Sequence, residues 1–303
     1  MIFPRPLTHG STIGIIAPSG AIRDRTIFTE GIRILHELGF STRFPRDLWP
    51  GHDYLADTDR HRTSEFQEIW NDEEVDAIMA ARGGYGCLRL AHEIFEKTCP
   101  ATQKLFIGYS DISLLHNLIN KNTAMVTYHG PVVTSLPLLS RESIQSFSET
   151  VRGEICDWKY EGDAKILQGN TVTKGISTGG NLSTVISTLG TRLMPDWRGK
   201  IVFLEDTAEP AYRIDRMLTQ LKMAGMLEEV RALVLGDFSH GLGLDRIADM
   251  RHHEAIWKRA IELVGKDSTV WANFPIGHGS VNYTIPLGLE MTVDSRKKCM
   301  YIE

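Results

Sequence analysis

Three apolar runs in the first third of the chain each end in a glycine-bearing turn and give way to an amphipathic stretch: TIGIIAPSG, VDAIMAARGGYG and KLFIGYSD. A short buried run followed by a helix is the rhythm of βαβ units. Each crossover returns the chain to the same edge, so the strands lie parallel. The expected fold class is therefore α/β. Residues 12–17 read as the first strand, stopped by Pro18 and Gly20. Ile27, Phe28, Ile32, Leu35 and Leu38 share one helix face, and Gly39 suits the C-terminal turn. Residues 60–70 read as a second helix and 75–81 as a second buried strand, with a helix beginning near Leu88. The plan then repeats as a strand over 104–108, a sharp turn over 109–111 and a helix over 112–119. AMVTY is a further short strand ending in His129, Gly130 and Pro131.

From 157 to 175 (DWKYEGDAKILQGNTVTKG) helical periodicity fades and Gly, Asp and Lys accumulate, as expected where two domains join. The expected organisation is one domain over residues 1–158, a linker over 159–175 and a second, mixed α/β domain over 176–303. The second half offers a glycine turn and helix (GGNLSTVISTLG), a strand KIVFLE, a helix over 212–223 and a strand ALVLGDF. A helix around 253–264, a strand TVWANF and a closing pair of strands containing YTIPLGLEMTV and CMYIE follow. No internal repeat is evident.

The composition, 303 residues with 42% hydrophobic and 23% charged, is that of a soluble globular chain of about two domains. A net charge of -5 without a Lys/Arg run provides no positive field for phosphate backbones, so no nucleic acid partner is expected. Cys87, Cys99, Cys156 and Cys299 form neither a C-x-x-C pair nor a disulfide framework and read as free thiols in a reducing compartment. The N-terminal residues lack the basic start and continuous apolar run of a secretory signal, and no stretch is apolar enough to span a membrane. The expected location is the cytoplasm.

Chemistry concentrates at KLFIGYSDISLLHNLI. An apolar strand delivers Gly-x-Ser and a helix leaves at once, which would hold the Ser110 hydroxyl clear of the sheet beside unpaired helix N–H groups able to stabilise an oxyanion. Ile112 stands where the last glycine of G-x-S-x-G would be. The same residues fit a capping serine with Asp111 as a first-turn carboxylate, so the segment does not choose by itself. ARGGYG also joins a strand to a helix. It matches neither G-x-G-x-x-G nor the P-loop pattern, which leaves a tight turn or an oxyanion donor at Gly83 or Gly84 beside the amide of Asp111.

A nucleophilic serine needs a base within hydrogen-bond reach and a carboxylate to orient it. Of 11 histidines, His36 and His92 fall in helices and His252 and His253 head one. His278 sits between two glycines in PIGHGS, straight after an apolar strand. His129, in YHGP, is its rival. KIVFLEDT ends an apolar strand in Glu205 and Asp206, and a carboxylate there must be paired, whether to a histidine, as a helix cap, or to Arg213 or Arg216. There is no H-E-x-x-H, and RHHE lacks a second half, so neither a metal nor another cofactor is expected.

IIAPSG, ARGGYG, IGYSD, YHGP, GGNLS, FLED, AYRIDR and PIGHG together resemble, in order, the landmarks of the LD-carboxypeptidases, a group that includes muramoyltetrapeptide carboxypeptidases and microcin C immunity peptidases. The resemblance spans nearly the whole chain. It implies a Rossmann-like N-terminal domain carrying the nucleophile, a C-terminal domain carrying acid and histidine, and an active site between them. It also implies Ser110 as nucleophile, Glu205 as orienting acid and His278 as general base, with Asp111 and Gly83 or Gly84 forming the oxyanion hole. A homodimer is implied too. An exopeptidase must also recognise a free carboxylate, for which Arg82 and Arg213 are the candidates, each equally readable as a salt-bridge residue. The substrate implied is a small peptide or muropeptide, cut at the L,D bond that releases terminal D-Ala. The alternatives are a peptidyl-nucleotide of the microcin C kind and, from another class, noncatalytic binding of a small ligand.

Overall fold

The computed structural model describes residues 1–49, 51–96, 102–239 and 246–303, which divide into two compact units, Met1–Glu154 with Tyr283–Leu287 and Ile155–Asn282 with Gly288–Glu303. Cys99 lies outside the described residues, whereas Cys87, Cys156 and Cys299 are free thiols.

The first unit alternates strands and helices: β1 (Thr12–Ile16), α1 (Arg25–Glu37), β2 (Ser41–Arg43), α2 (Asp59–Asn71), β3 (Ala77–Ala80), α3 (Cys87–Glu96), β4 (Leu105–Gly108), α4 (Ser113–Thr123), β5 (Thr127–His129) and α5 (Arg141–Arg152). β1 to β5 run parallel in the order β5-β4-β3-β1-β2, and the strand Ile285–Leu287 closes the β5 edge antiparallel. Every residue of β3 and β4 is buried, the mark of strands covered on both faces. Helix starts follow capping chemistry: Asp24 accepts from the amides of Thr26 and Ile27, and Ser140 from that of Ser143. Gly39 turns the chain after α1 at a φ of 82°, as its sequence position suggested. The order reverses at β1, with β2 on one side and β3 on the other. In open parallel sheets the ligand cleft lies outside the strand C-termini at such a switch point, and the loops after β1, β3 and β4 all emerge there.

The second unit contains β6 (Lys159–Glu161), β7 (Lys165–Gln168), β8 (Val172–Asn181), α6 (Leu182–Ile186), β9 (Ile201–Glu205), α7 (Ala211–Met223), β10 (Ala232–Leu235), α8 (Arg246–Leu263) and β11 (Thr269–Ala272). After the Ile285–Leu287 strand, here β12, come β13 (Glu290–Asp294) and β14 (Cys299–Tyr301). The sheet order is β6-β14-β13-β8-β9-β10-β11-β7, parallel across β8 to β11 and antiparallel outside them. Leu204 and Leu233 of the sheet, Ile214 and Leu218 of α7, and Ile256 and Ala260 of α8 belong to one buried cluster.

Three expectations change. Residues 159–175, read as a linker, hold β6, β7 and the start of β8. They look like linker because outer strands carry polar residues on their free sides, and in β6 only Tyr160 is buried. The closing pair of strands is in fact three, and the first of them pairs with β5 rather than β13. His252 and His253 lie inside α8 rather than at its head.

Candidate active site

The turn after β4 is strained. Tyr109 is extended, and Ser110 takes a φ of 63°, a left-handed conformation that costs a residue with a β-carbon about 1–2 kcal/mol. A 3-10 turn, Ser110–Ile112, then leads into α4. The geometry is that of a nucleophile elbow: strand, strained serine, helix. Ile112 fits in place of the final glycine because Gly108 makes the room, since a β-carbon at Gly108 would stand 2.8 Å from Ile112 Cγ2.

Surrounding groups hold this turn. Asp111 is buried, and its Oδ2 accepts from Ser19 Oγ at 2.7 Å and from the Cys87 amide at 2.8 Å, tying the loops after β1 and β3 to the turn after β4. The carboxylate thus caps α3 rather than only facing the dipole of its own helix. His116 is fully buried, and its Nε2 donates to the Gly108 carbonyl at 2.8 Å. Burial outweighs that hydrogen bond and lowers its pKa to about 4. The ring is therefore neutral near pH 7, which suits an Nδ1 with no hydrogen-bond partner among the described residues.

The glycine loop stands against the serine. A β-carbon at Gly83 would lie 2.7 Å from Ser110 Cβ and 2.9 Å from its Oγ, whereas Gly84, at a φ of 112°, faces Gly20 instead. The Gly20 amide donates to the Gly83 carbonyl at 3.2 Å. Arg82, half-buried, donates to the Ala21 carbonyl and has no carboxylate partner among the described residues. Burial, then the nearby Arg23 charge, lowers its pKa.

In the second unit, Glu205 ends β9 with no exposed surface, and its Oε2 meets His278 Nδ1 at 2.8 Å. A proton on Nδ1 leaves the Nε2 lone pair as the basic site. Burial disfavours the imidazolium, but the charge and hydrogen bond of Glu205 outweigh it and raise the His278 pKa above its usual 6.5. Glycine is needed here as well: at Gly277, φ 129°, a β-carbon would stand 2.9 Å from Asp237 Cβ and 3.3 Å from Glu205 Oε2. The Gly277 amide donates to Asn282 Oδ1, and the Asp237 amide to the Ile276 carbonyl.

The neighbouring carboxylates have other duties. Asp206 accepts from the amide and hydroxyl of Ser183 and from the Thr207 amide. Burial first, then the charge of Glu205, raises its pKa to about 6. Arg213 forms an exposed ion pair with Glu209 at 3.3 Å, and Arg216 lies over the Tyr212 ring. The rival His129 is buried at the end of β5, with its ring edge-on to Tyr109.

The sequence profile of the LD-carboxypeptidase N-terminal domain matches residues 13–130, and that of the C-terminal domain matches 174–293. The chain belongs to the LD-carboxypeptidase family of serine peptidases. Among the relatives of this LD-carboxypeptidase, the probable murein peptide carboxypeptidase of Bacillus subtilis is 34% identical over 99% of this chain and 94% of its own. The microcin C7 self-immunity protein MccF of Escherichia coli is 25% identical over 97% of this chain and 93% of its own. The crystal structure of the muramoyltetrapeptide carboxypeptidase from Oxalobacter formigenes superposes with a TM-score of 0.77 at 29% identity, covering 96% of this chain and 97% of that one.

Two groups escaped sequence reading of this LD-carboxypeptidase. Asp237 follows the apolar strand β10 just as Glu205 ends β9, so the signal that selected one carboxylate could have selected the other. Burial pushes its carboxyl up, but the His253 ring 3.6 Å away and the amide of Ser239, which donates to Oδ1, carry the balance below the usual range. His116 gave no signal, because its role depends on where the Gly108 carbonyl points. Among the described residues, no group of three His, Cys, Asp or Glu could hold a metal ion, and no helix is long and apolar enough to cross a membrane.

Proposed function

We propose that this LD-carboxypeptidase hydrolyses the L,D-peptide bond that releases terminal D-Ala from murein tetrapeptides, using Ser110, His278 and Glu205 as its triad. The observation that carries the nucleophile is the strained φ of Ser110 on a strand-to-helix turn with Gly83 against its hydroxyl. Assigning Glu205 and His278 to the same reaction rests on their 2.8 Å pair and on the family landmarks GYSD, FLED and GHG. The substrate rests on the murein-directed names of the relatives.

His278 Nε2 takes the Ser110 proton as Oγ attacks the scissile carbonyl, and the amides of Asp111 and Gly83 receive the oxyanion. Gly83 is preferred to Gly84 because it is the glycine that abuts Ser110. The imidazolium, steadied by Glu205, protonates the departing D-Ala amine. His278 then activates water to release the acyl group from Ser110. Arg82, a guanidinium without a carboxylate partner among the described residues, is proposed to hold the terminal carboxylate of the substrate. A cytoplasmic location and a homodimer belong to the same reading, and a sedimentation measurement tests the second.

Incubation with murein tetrapeptide should yield free D-Ala, and a fluorophosphonate should label the wild type but not Ser110→Ala. Equal labelling of both would remove Ser110 as the nucleophile, whereas labelling of neither, with no D-Ala released, would favour noncatalytic ligand binding. The similarity to MccF favours one second reading, cleavage of a peptidyl-nucleotide. Turnover of an aminoacyl-adenylate analogue without D-Ala release would select it.

A further inference from the structure

Asp237, just past the end of β10, carries a buried oxygen that the triad does not account for. Its Oδ2 has no hydrogen-bond partner among the described residues, whereas Oδ1 accepts from the Ser239 amide at 3.0 Å and faces His253 Nε2 at 3.6 Å. A carboxylate oxygen buried without a partner costs free energy, so its retention calls for a use. The loop that carries His278 lies on this side chain. A β-carbon at Gly277 would stand 2.9 Å from Asp237 Cβ, and one at Gly279 would stand 3.3 Å from Asp237 Oδ2. Both neighbours of His278 are thus glycines where the loop meets the aspartate. The main chain of Asp237 also joins the segments that carry the acid and the histidine. Its amide donates to the Ile276 carbonyl at 2.8 Å, and its carbonyl accepts at 3.0 Å from the amide of Asp206, the residue after Glu205.

We propose that Asp237 is a positioning residue for His278, its side chain seating the Gly277–Gly279 loop and its carboxylate adding a second negative charge beside the imidazole that Glu205 orients, an inference that rests on the function proposed above. Burial disfavours the His278 imidazolium, and the charges of Glu205, then Asp206, then Asp237 favour it. Asp237 has its own counter-charge on α8. His253 Nδ1 meets the Asp249 carbonyl at 3.0 Å and lies 3.7 Å from Asp249 Oδ2, and the His252 ring stands edge-on to it with centroids 5.8 Å apart. The nearby Asp237 oxygen outweighs burial and, with Asp249, raises the His253 pKa above 6.5. A cationic His253 withdraws the Asp237 field from His278, and a neutral one releases it.

The test follows kcat/KM for D-Ala release from murein tetrapeptide against pH. Asp237→Asn keeps the shape and an acceptor for the Ser239 amide but removes the charge. The midpoint of the rise in kcat/KM should therefore move to lower pH by about half a unit, less than an ion in direct contact gives. His253→Gln leaves the Asp237 charge without its counter-charge and should move the midpoint to higher pH. Asp237→Ala, which also removes the seat of the loop, should lower kcat about tenfold or more with little change in KM. In the Ser110→Ala protein, the His278 imidazole titrated by NMR should show the same two opposite shifts, read without turnover. A midpoint that stays in place in Asp237→Asn, or that moves the same way in both variants, overturns the role of Asp237 and leaves the proposed function standing. An Asp237→Ala variant altered only in KM does the same. Absence of D-Ala release by the wild type overturns the proposed function and the positioning role together.

Discussion

Gly83 presses so closely on Ser110 that a single added methyl would stand within 2.9 Å of the Ser110 hydroxyl oxygen. Both partners are on rigid backbone, so neither can yield without moving the turn. If the Gly83 amide is the oxyanion donor proposed above, Gly83→Ala should displace it and lower kcat for D-Ala release by about 10²–10³-fold, with a much smaller change in KM. Steady-state kinetics on murein tetrapeptide check this, and an unchanged kcat would remove Gly83 from the oxyanion hole.

The raised pKa of His278 fixes the sign of two pH dependences. The proposed mechanism needs the neutral imidazole, so kcat/KM should rise with pH through a limb lying above 6.5. Stability runs the other way. The Glu205–His278 contribution is fully present below the unfolded pKa and is lost as pH rises through the folded value. Glu205→Gln should shift the kinetic limb to lower pH and reduce kcat by about 10³-fold or more, as expected when the orienting acid of a triad is lost. A limb that stays in place in this variant would show that Glu205 does not set the His278 pKa.

His116 titrates in the opposite sense. Its pKa is lowered by burial to about 4, so its contribution to stability is present above the unfolded value near 6.5 and is lost as pH falls through the folded one. A shift of that size corresponds to about 3 kcal/mol between neutral pH and pH 4. His116→Gln, which keeps a donor for the Gly108 carbonyl, should flatten this part of the profile. Urea unfolding at pH 7 and pH 4.5 measures it, and an unchanged acid loss would assign the effect to other groups.

Arg82 and Arg213 were indistinguishable as letters and differ as structure. Arg82 stands next to Gly83 without a carboxylate partner among the described residues, and Arg213 is committed to Glu209 on an exposed helix. Arg82→Ala should raise KM for the tetrapeptide by about tenfold or more, the worth of a hydrogen bond to a charged group. Arg213→Ala should change KM by less than about twofold. Kinetics in which Arg213→Ala has the larger effect would reverse the assignment.

The sequence was legible where one residue type answers one physical demand. Continuous apolar runs become the buried strands β3 and β4, and a carboxylate ending β9 finds the histidine between two glycines. It was silent where a role depends on a partner elsewhere. Asp111 looks like an ordinary first-turn acid until Ser19 and the Cys87 amide come to its Oδ2. Residues 159–175 mimic a linker because outer strands and linkers are both polar. YTIPLGLEMTV reads as one strand, although Gly288, at a φ of 92°, separates β12 from β13.

The pairing of Ile285–Leu287 with β5 also orders events during synthesis. The ribosome delivers residues 1–154 long before residue 285, so β5 emerges as an open edge and stays open while the second unit is made. Unpaired backbone groups at such an edge invite pairing with another nascent chain. For this fold, the most vulnerable interval comes after most of its first sheet has assembled, and it closes only when Ile285–Leu287 has followed the strands of the second unit up to β11 out of the ribosome.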